Sequence, residues 1–183
     1  MYLMNLERVD NTLFISEEEC ERLVELLNDG RNLYYEEPFV KIAVDGRTKT
    51  LQFYGLETIP LVFEQKKNDN VSTSLVYMRS IKNLIKRVEI GQGSREISCF
   101  AFNEFNNLEE VVLPSSLKVI GDYAFANCIS LTDINIPKDC NTGENVFNNS
   151  PYEEVYKRER ENLNSINEGN SLCKMIKRIF KKK

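Results

Sequence analysis

The 183-residue chain has no histidine and no tryptophan, only eight glycines and five prolines, and five cysteines that never form a C-x-x-C pair. Each shortage excludes something. Without histidine there is no imidazole to act as general base, to ligate a metal or to activate a serine or cysteine nucleophile. No HExxH or GxSxG motif appears, so the chain is read as a non-enzyme with no catalytic residue, metal or cofactor. The two glycines of Ile90–Ile97 lack the lysine of a phosphate-cradling loop, and they are read as a tight turn.

Cys20, Cys99, Cys128, Cys140 and Cys173 are odd in number and widely spaced, which argues against a disulfide framework or zinc knuckle. Reduced, mostly buried thiols in a reducing compartment are expected. No apolar run approaches the roughly 20 residues that span a bilayer. The opening "MYLMNLERVDN" meets charge too early for a signal peptide, so a cytoplasmic location is expected.

What is present is a soluble globular composition, 42% hydrophobic and 28% charged. The net charge of −4 hides an asymmetry. Residues 171–183 hold six Lys/Arg and no acid, leaving 18 basic against 28 acidic groups elsewhere, a body near −10. Such a body repels nucleic acid, so direct binding to it is not expected.

The strongest signal is an internal repeat. "ISCFAFNEFNNLEEVVLP" from Ile97 and "IGDYAFANCISLTDINIP" from Ile120 align at a constant offset of 23 residues. The offset superposes Ile97 on Ile120, Ala101 on Ala124, Phe102 on Phe125 and Leu108 on Leu131. It then superposes Val111 on Ile134, Leu113 on Ile136 and Pro114 on Pro137. A half copy precedes them, with Ile85, Val88 and Ile90. A truncated copy follows, with Phe147 one residue early. The V/I-x-L/I ending has the period of a short strand buried on one face, and proline closes it. One such unit cannot bury its apolar side alone, whereas stacked copies share a core.

In these residues the segment Ile120–Pro137 resembles the BspA-type leucine-rich repeat family, whose unit runs approximately I-G-x-x-A-F-x-x-C-x-x-L-x-x-I-x-I-P. The earlier copy departs at Ser98, where the later has Gly121, and at Phe105, where it has Cys128. The resemblance covers about residues 84–151. It implies a short β-solenoid of stacked turns with a sheet along one side, in a family chiefly of surface and interaction proteins with no catalytic residues to carry over.

The flanks read differently. Ser16 and Glu19 form a capping box for a helix with Cys20, Leu23, Val24 and Leu27 on one stripe, ended by Gly30. Two strands, with Val40, Ile42 and Val44 on the first and Leu51 and Phe53 on the second, join at Asp45-Gly46. "NTLFI" is a further strand, and Glu64–Ser74 is a polar loop. The fold class is α+β: residues 1–70 a small unit capping the solenoid, 71–151 the repeats, and 152–183 C-terminal helices. In the last, Tyr152, Val155, Tyr156, Leu163 and Ile166 are expected to face inward. Leu172, Met175, Ile176, Ile179 and Phe180 form a stripe on a basic amphipathic tail.

Candidate binding positions lie between the inward residues. They are the outward pairs Arg87 and Glu89, Glu110 and Val112, and Asp133 and Asn135, with Val112 as an aliphatic contact among polar groups; the plain alternative is a solvated sheet face. Tyr34 and Tyr35 are a second candidate surface, or a half-buried strand start. Lys174, Lys177, Arg178, Lys181 and Lys182 belong to a tail that either docks on the acidic body or meets a membrane surface or acidic partner. The expected function is a protein-protein interaction module. Alternatives are an intracellular inhibitor whose acidic surface blocks a basic, nucleic-acid-binding site, and a peripheral membrane protein held by the tail. Self-association through an end or a sheet edge is a further option.

Overall fold

The computed structural model describes residues 1–9, 12–37, 40–59, 61–65 and 81–162, and the chain forms two units, Met1–Pro151 and Tyr152–Lys183. The first unit opens with β1 (Tyr2–Leu3), β2 (Leu6–Val9), β3 (Thr12–Ile15), α1 (Glu17–Asn28), β4 (Leu33–Glu37), β5 (Val40–Asp45) and β6 (Thr50–Tyr54). It continues with β7 (Thr58–Ile59), β8 (Leu61–Gln65), β9 (Arg87–Ile90), β10 (Glu96–Ile97) and β11 (Glu110–Val112). The last three strands are β12 (Val119–Ile120), β13 (Asp133–Ile134) and β14 (Asn141–Thr142).

The helix α1 forms where the capping residues place it. The Ser16 hydroxyl accepts from the Glu19 backbone N–H at 3.2 Å, one of the donors a helix start leaves unpaired. The Glu19 side chain reaches outside the helix: its carboxylate accepts from the Asn5 backbone N–H at 2.7 Å and from the Tyr2 hydroxyl at 3.1 Å. A residue read as a helix cap thus fastens the chain's first strand. Cys20, Leu23 and Leu27 are buried, and Val24 only partly. At the C-terminus Gly30 takes φ +72°, with its N–H on Leu27 O and that of Arg31 on Leu26 O. That is a Schellman ending, which favours glycine because it has no Cβ.

The β5–β6 hairpin forms as expected, but its connection is four residues, 46–49, with the left-handed residue at Lys49 rather than at Gly46. The Asp45 carboxylate organises it by accepting from the Arg47 and Thr48 backbone N–H groups at 2.9 and 3.0 Å. Gly46 is needed for closeness, since a Cβ there would lie 2.1 Å from Arg31 O. The loop expected from Glu64 onward also differs. Glu64 and Gln65 belong to β8, paired in parallel with β3, and residues 66–74 lie outside the described residues.

Among the described residues three sheets form. Seven strands lie in the order β1-β4-β5-β6-β9-β11-β13, four in the order β14-β12-β10-β7, and three in the order β2-β3-β8. In the first two, the 23-residue offset becomes a parallel register. Val88 pairs with Val111 and Val111 with Ile134, while Ile97 pairs with Ile120 on the other sheet. Residues 50–59 continue both sheets: Leu51 pairs with Val88 and Ile59 with Ile97. The stacking therefore extends one turn beyond the residues that carry the repeat's letters.

Between the sheets, the aligned residues Ile97, Ala101, Phe102, Phe105, Leu108 and Val111 are no more than 2% exposed, and their counterparts from Ile120 to Ile134 no more than 4%. Leu113 and Ile136, expected as the second inward residue of each strand, are only half-buried. The strands stop at Val112 and Ile134, short of Pro114 and Pro137. Phe102, Phe125 and Phe147 stack with ring centroids 5.2 and 5.8 Å apart, and Phe53 meets Phe102 edge-on at 5.9 Å. The early position of Phe147 still puts its ring in the column.

Corners between the sheets hydrogen-bond turn to turn through the backbone. Phe100, Phe102 and Glu104 donate to the carbonyls of Asp122, Ala124 and Ala126, and Tyr123, Phe125 and Asn127 to those of Glu144, Val146 and Asn148. This spacing explains the glycine of the repeat. A Cβ at Gly121 would lie 2.5 Å from Cys99 N, so the residue is set by the neighbouring turn's backbone.

In the second unit, residues 152–162 are helical. Tyr152 donates to Glu159 at 3.0 Å, and Arg160 donates to the Tyr156 hydroxyl at 2.9 Å with its guanidinium over that ring. Val155, expected inward, is 43% exposed, although Tyr152, three residues before it on the helix, is buried. Leu163, Ile166 and the tail stripe lie outside the described residues.

Phe125→Ala, at the middle of the ring column, is expected to lower unfolding free energy by roughly 3–5 kcal/mol, read from urea denaturation. Gly121→Ala should cost about 1–3 kcal/mol by forcing two turns apart. An unchanged midpoint for Gly121→Ala would show that the turns are not in that close register.

Candidate functional site

Strand alternation sends every second side chain of the seven-stranded sheet outward. On β9, β11 and β13 these are Arg87 and Glu89, Glu110 and Val112, and Asp133. Register aligns Arg87 with Glu110 and Asp133, and Glu89 with Val112. Asn135, one residue past β13, is also exposed. The six repeat positions picked out by sequence thus lie on or directly beside one face.

Several of them hold one another. Gln52 Nε2 donates to Glu89 Oε2 at 2.7 Å, Arg87 Nε donates to Glu89 Oε1 at 2.8 Å, and Arg87 Nη1 donates to Glu110 Oε2. This chain spans β6, β9 and β11. The Gln52 hydrogen bond, reinforced by Arg87, holds the Glu89 carboxyl below the usual glutamate range, while the bond to Glu89 raises Arg87 further. Half-exposed pairs of this kind contribute about 0–1 kcal/mol each, so their main effect is to fix geometry. The side chains of Asp133 and Asn135 have no hydrogen bond or ion pair with any described residue.

The second candidate surface separates. Tyr35 pairs with Ile42 and is 8% exposed, facing the core with Leu33, so it is not a contact residue on this surface. Tyr34 is partly exposed on the opposite side, where register aligns it with Ala43, Gln52, Glu89 and Val112. Lys174, Lys177, Arg178, Lys181 and Lys182 lie outside the described residues. Sequence reasoning passed over Tyr54 and Leu3, exposed on the same sheet. It also missed Phe100 and Tyr123, which stack at a corner with centroids 5.1 Å apart. The last pair was findable, because both occupy the same position of the repeat.

Cys20, Cys128 and Cys140 are buried, and Cys99 is exposed. Desolvation pushes the Cys128 thiol up to about 12, and its Sγ donates to Phe102 O at 3.2 Å. Among the described residues no group of three or more Cys, Asp or Glu could hold a metal ion, and no helix is long and apolar enough to cross a membrane.

Parallel strands in a fixed 23-residue register, with a buried apolar side and a polar outward grid, define a stacked-repeat protein. Comparison supplies the family: the model of the BspA type leucine rich repeat region, itself a region of six copies, matches residues 77–182, and the chain belongs to that family. The match is wider than the residues 84–151 that carry the recognisable wording. No curated protein matches the chain. Among solved structures it is similar to a leucine-rich repeat protein from Eubacterium ventriosum, at 19% identity and TM-score 0.46 over 66% of this chain and 36% of that one. It is also similar to the pneumococcal vaccine antigen PcpA, at 20% identity and TM-score 0.44 over 65% and 31%, respectively. A leucine rich cell surface protein of Faecalibacterium prausnitzii matches at 22% identity and TM-score 0.36 over 63% and 34%. The chain spans about a third of the length of these proteins.

Two measurements check this chemistry. A thiol reagent such as dithionitrobenzoate should modify Cys99 in the native protein and reach Cys128 only after unfolding; rapid native labelling of Cys128 would contradict its burial. Glu89 has a depressed folded pKa, so its stabilisation is complete above its unfolded value, near about 4.3. That stabilisation is lost as pH falls through the lower folded value. Gln52→Ala should move the Glu89 carboxyl titration, followed by NMR, up toward the ordinary range and flatten the loss of stability in acid.

Proposed function

We propose that the chain is a non-enzymatic protein-protein interaction module. In this reading residues 71–151 are a short leucine-rich repeat solenoid, residues 1–70 cap one end of it, and residues 152–183 form a helical segment and basic tail. The binding residues are Arg87, Glu89, Glu110, Val112, Asp133 and Asn135, joined by Tyr34 on the same sheet.

The observation that carries it is the division of labour within each turn. Residues that define the repeat are consumed by the core, whereas the outward grid is held rigid by the Gln52–Glu89–Arg87–Glu110 chain with Val112 exposed at its edge. A rigid polar lattice around an aliphatic contact matches the composition of protein interfaces, where a few packed residues supply most of the affinity.

Capture of proteins from a lysate on the immobilised chain tests the reading, run beside Glu110→Lys, Val112→Asp and Asp133→Lys variants of unchanged melting temperature. Specific bands held by the parent and lost by the variants are expected. The same bands on all four baits would reject this face as the binding site.

A further inference from the structure

The outward side of the seven-stranded sheet is one surface shared by the N-terminal segment and the repeats. A single row of register runs from Leu3 on β1 through Tyr34, Ala43, Gln52 and Glu89 to Val112 on β11. Leu3, 55% exposed, and Val112, 39% exposed, leave aliphatic carbon at its two ends, and Tyr54 on β6 is 43% exposed. Between them Gln52 and Glu89 already bond to each other, and Glu89 also to Arg87. Beyond them lies an imbalance. Glu110 faces Asp133 across adjacent strands, and like charges placed directly opposite destabilise a sheet. Arg87 contacts Glu110 from the far side and is shared with Glu89, while the Asp133 side chain meets no cation among the described residues.

A cation placed between Glu110 and Asp133 relieves that repulsion. Nucleic acid brings the wrong sign. We infer that this face takes a basic protein segment, with a lysine or arginine between Glu110 and Asp133 and an aliphatic side chain against Val112. The inference rests on the protein-binding reading above and adds the partner's charge and the N-terminal half of the footprint. The row crosses five strand spacings, about 24 Å, which an extended segment of about seven residues matches.

The test uses the full chain and a fluorescein-labelled heptapeptide alternating lysine and valine, with glutamine-valine and glutamate-valine versions beside it, followed by anisotropy. The lysine peptide should bind best, with affinity falling as salt rises. Glu110→Gln with Asp133→Asn, and separately Val112→Asp, should weaken it about tenfold, and Tyr34→Ala several-fold. Asp139→Asn with Glu144→Gln, an equal charge change off this face, should shift it by less than about twofold. Equal losses in the two double variants, equal binding of the glutamine peptide, or binding of no peptide would each overturn the inference. The lysate capture is independent: bands lost with Val112→Asp while no peptide binds would leave the protein-binding reading standing without its basic partner.

Discussion

The structure between residues 50 and 150 depends on one phenyl ring lying against the next. Phe102, Phe125 and Phe147 stack, and Phe53 closes the near end of the column edge-on. Each stacked pair adds roughly 0.5–1.5 kcal/mol beyond the area it buries. The larger consequence is geometric, because rings at that spacing hold neighbouring turns at hydrogen-bonding distance. The two parallel sheets and the corner ladder then form together. No single turn has a core of its own, so folding of the unit is expected to be collective.

The corners show what this spacing costs. Phe100, Glu104, Tyr123, Asn127, Asn145 and Asn149 all take φ between +51° and +64°, two such residues in each turn. The left-handed region disfavours ordinary side chains by about 1–2 kcal/mol each, and asparagine least. Where asparagine occupies these sites the penalty is eased, and an amide ladder links Asn103, Asn127 and Asn149 at 3.1 Å per step. Where Phe100 and Tyr123 occupy them, stacking of their rings offsets part of the strain.

Much of this was legible in the residues. The 23-residue offset predicted which side chains share a column, and the family match agrees with the resemblance it suggested. The turn formed by β6 and β7 was not legible, because its partners lie 37 and 38 residues ahead rather than 23, and Leu51, Phe53 and Ile59 read equally well as a hairpin strand and its sequel. Tyr34 and Tyr35 looked equivalent as a pair. Only the register of β4 against β5 divides them between surface and core. Glu19 looked like a helix cap, yet its partners Asn5 and Tyr2 lie 14 and 17 residues away, beyond any local pattern. Of the candidate surface, sequence identified the repeat positions. Their continuity with Tyr34 needed the strand order.

The corner ladder also bears on mechanics. Its hydrogen bonds and those of both sheets join each turn to the next, so tension drawn along the stack loads the interfaces in series rather than side by side. In such an arrangement the weakest interface sets the strength of the whole, and adding turns lengthens the element without toughening it. Rupture would begin at one junction and release a single 22- or 23-residue loop of chain. A protein built this way yields under pull in discrete steps, each as long as one turn of its own repeat.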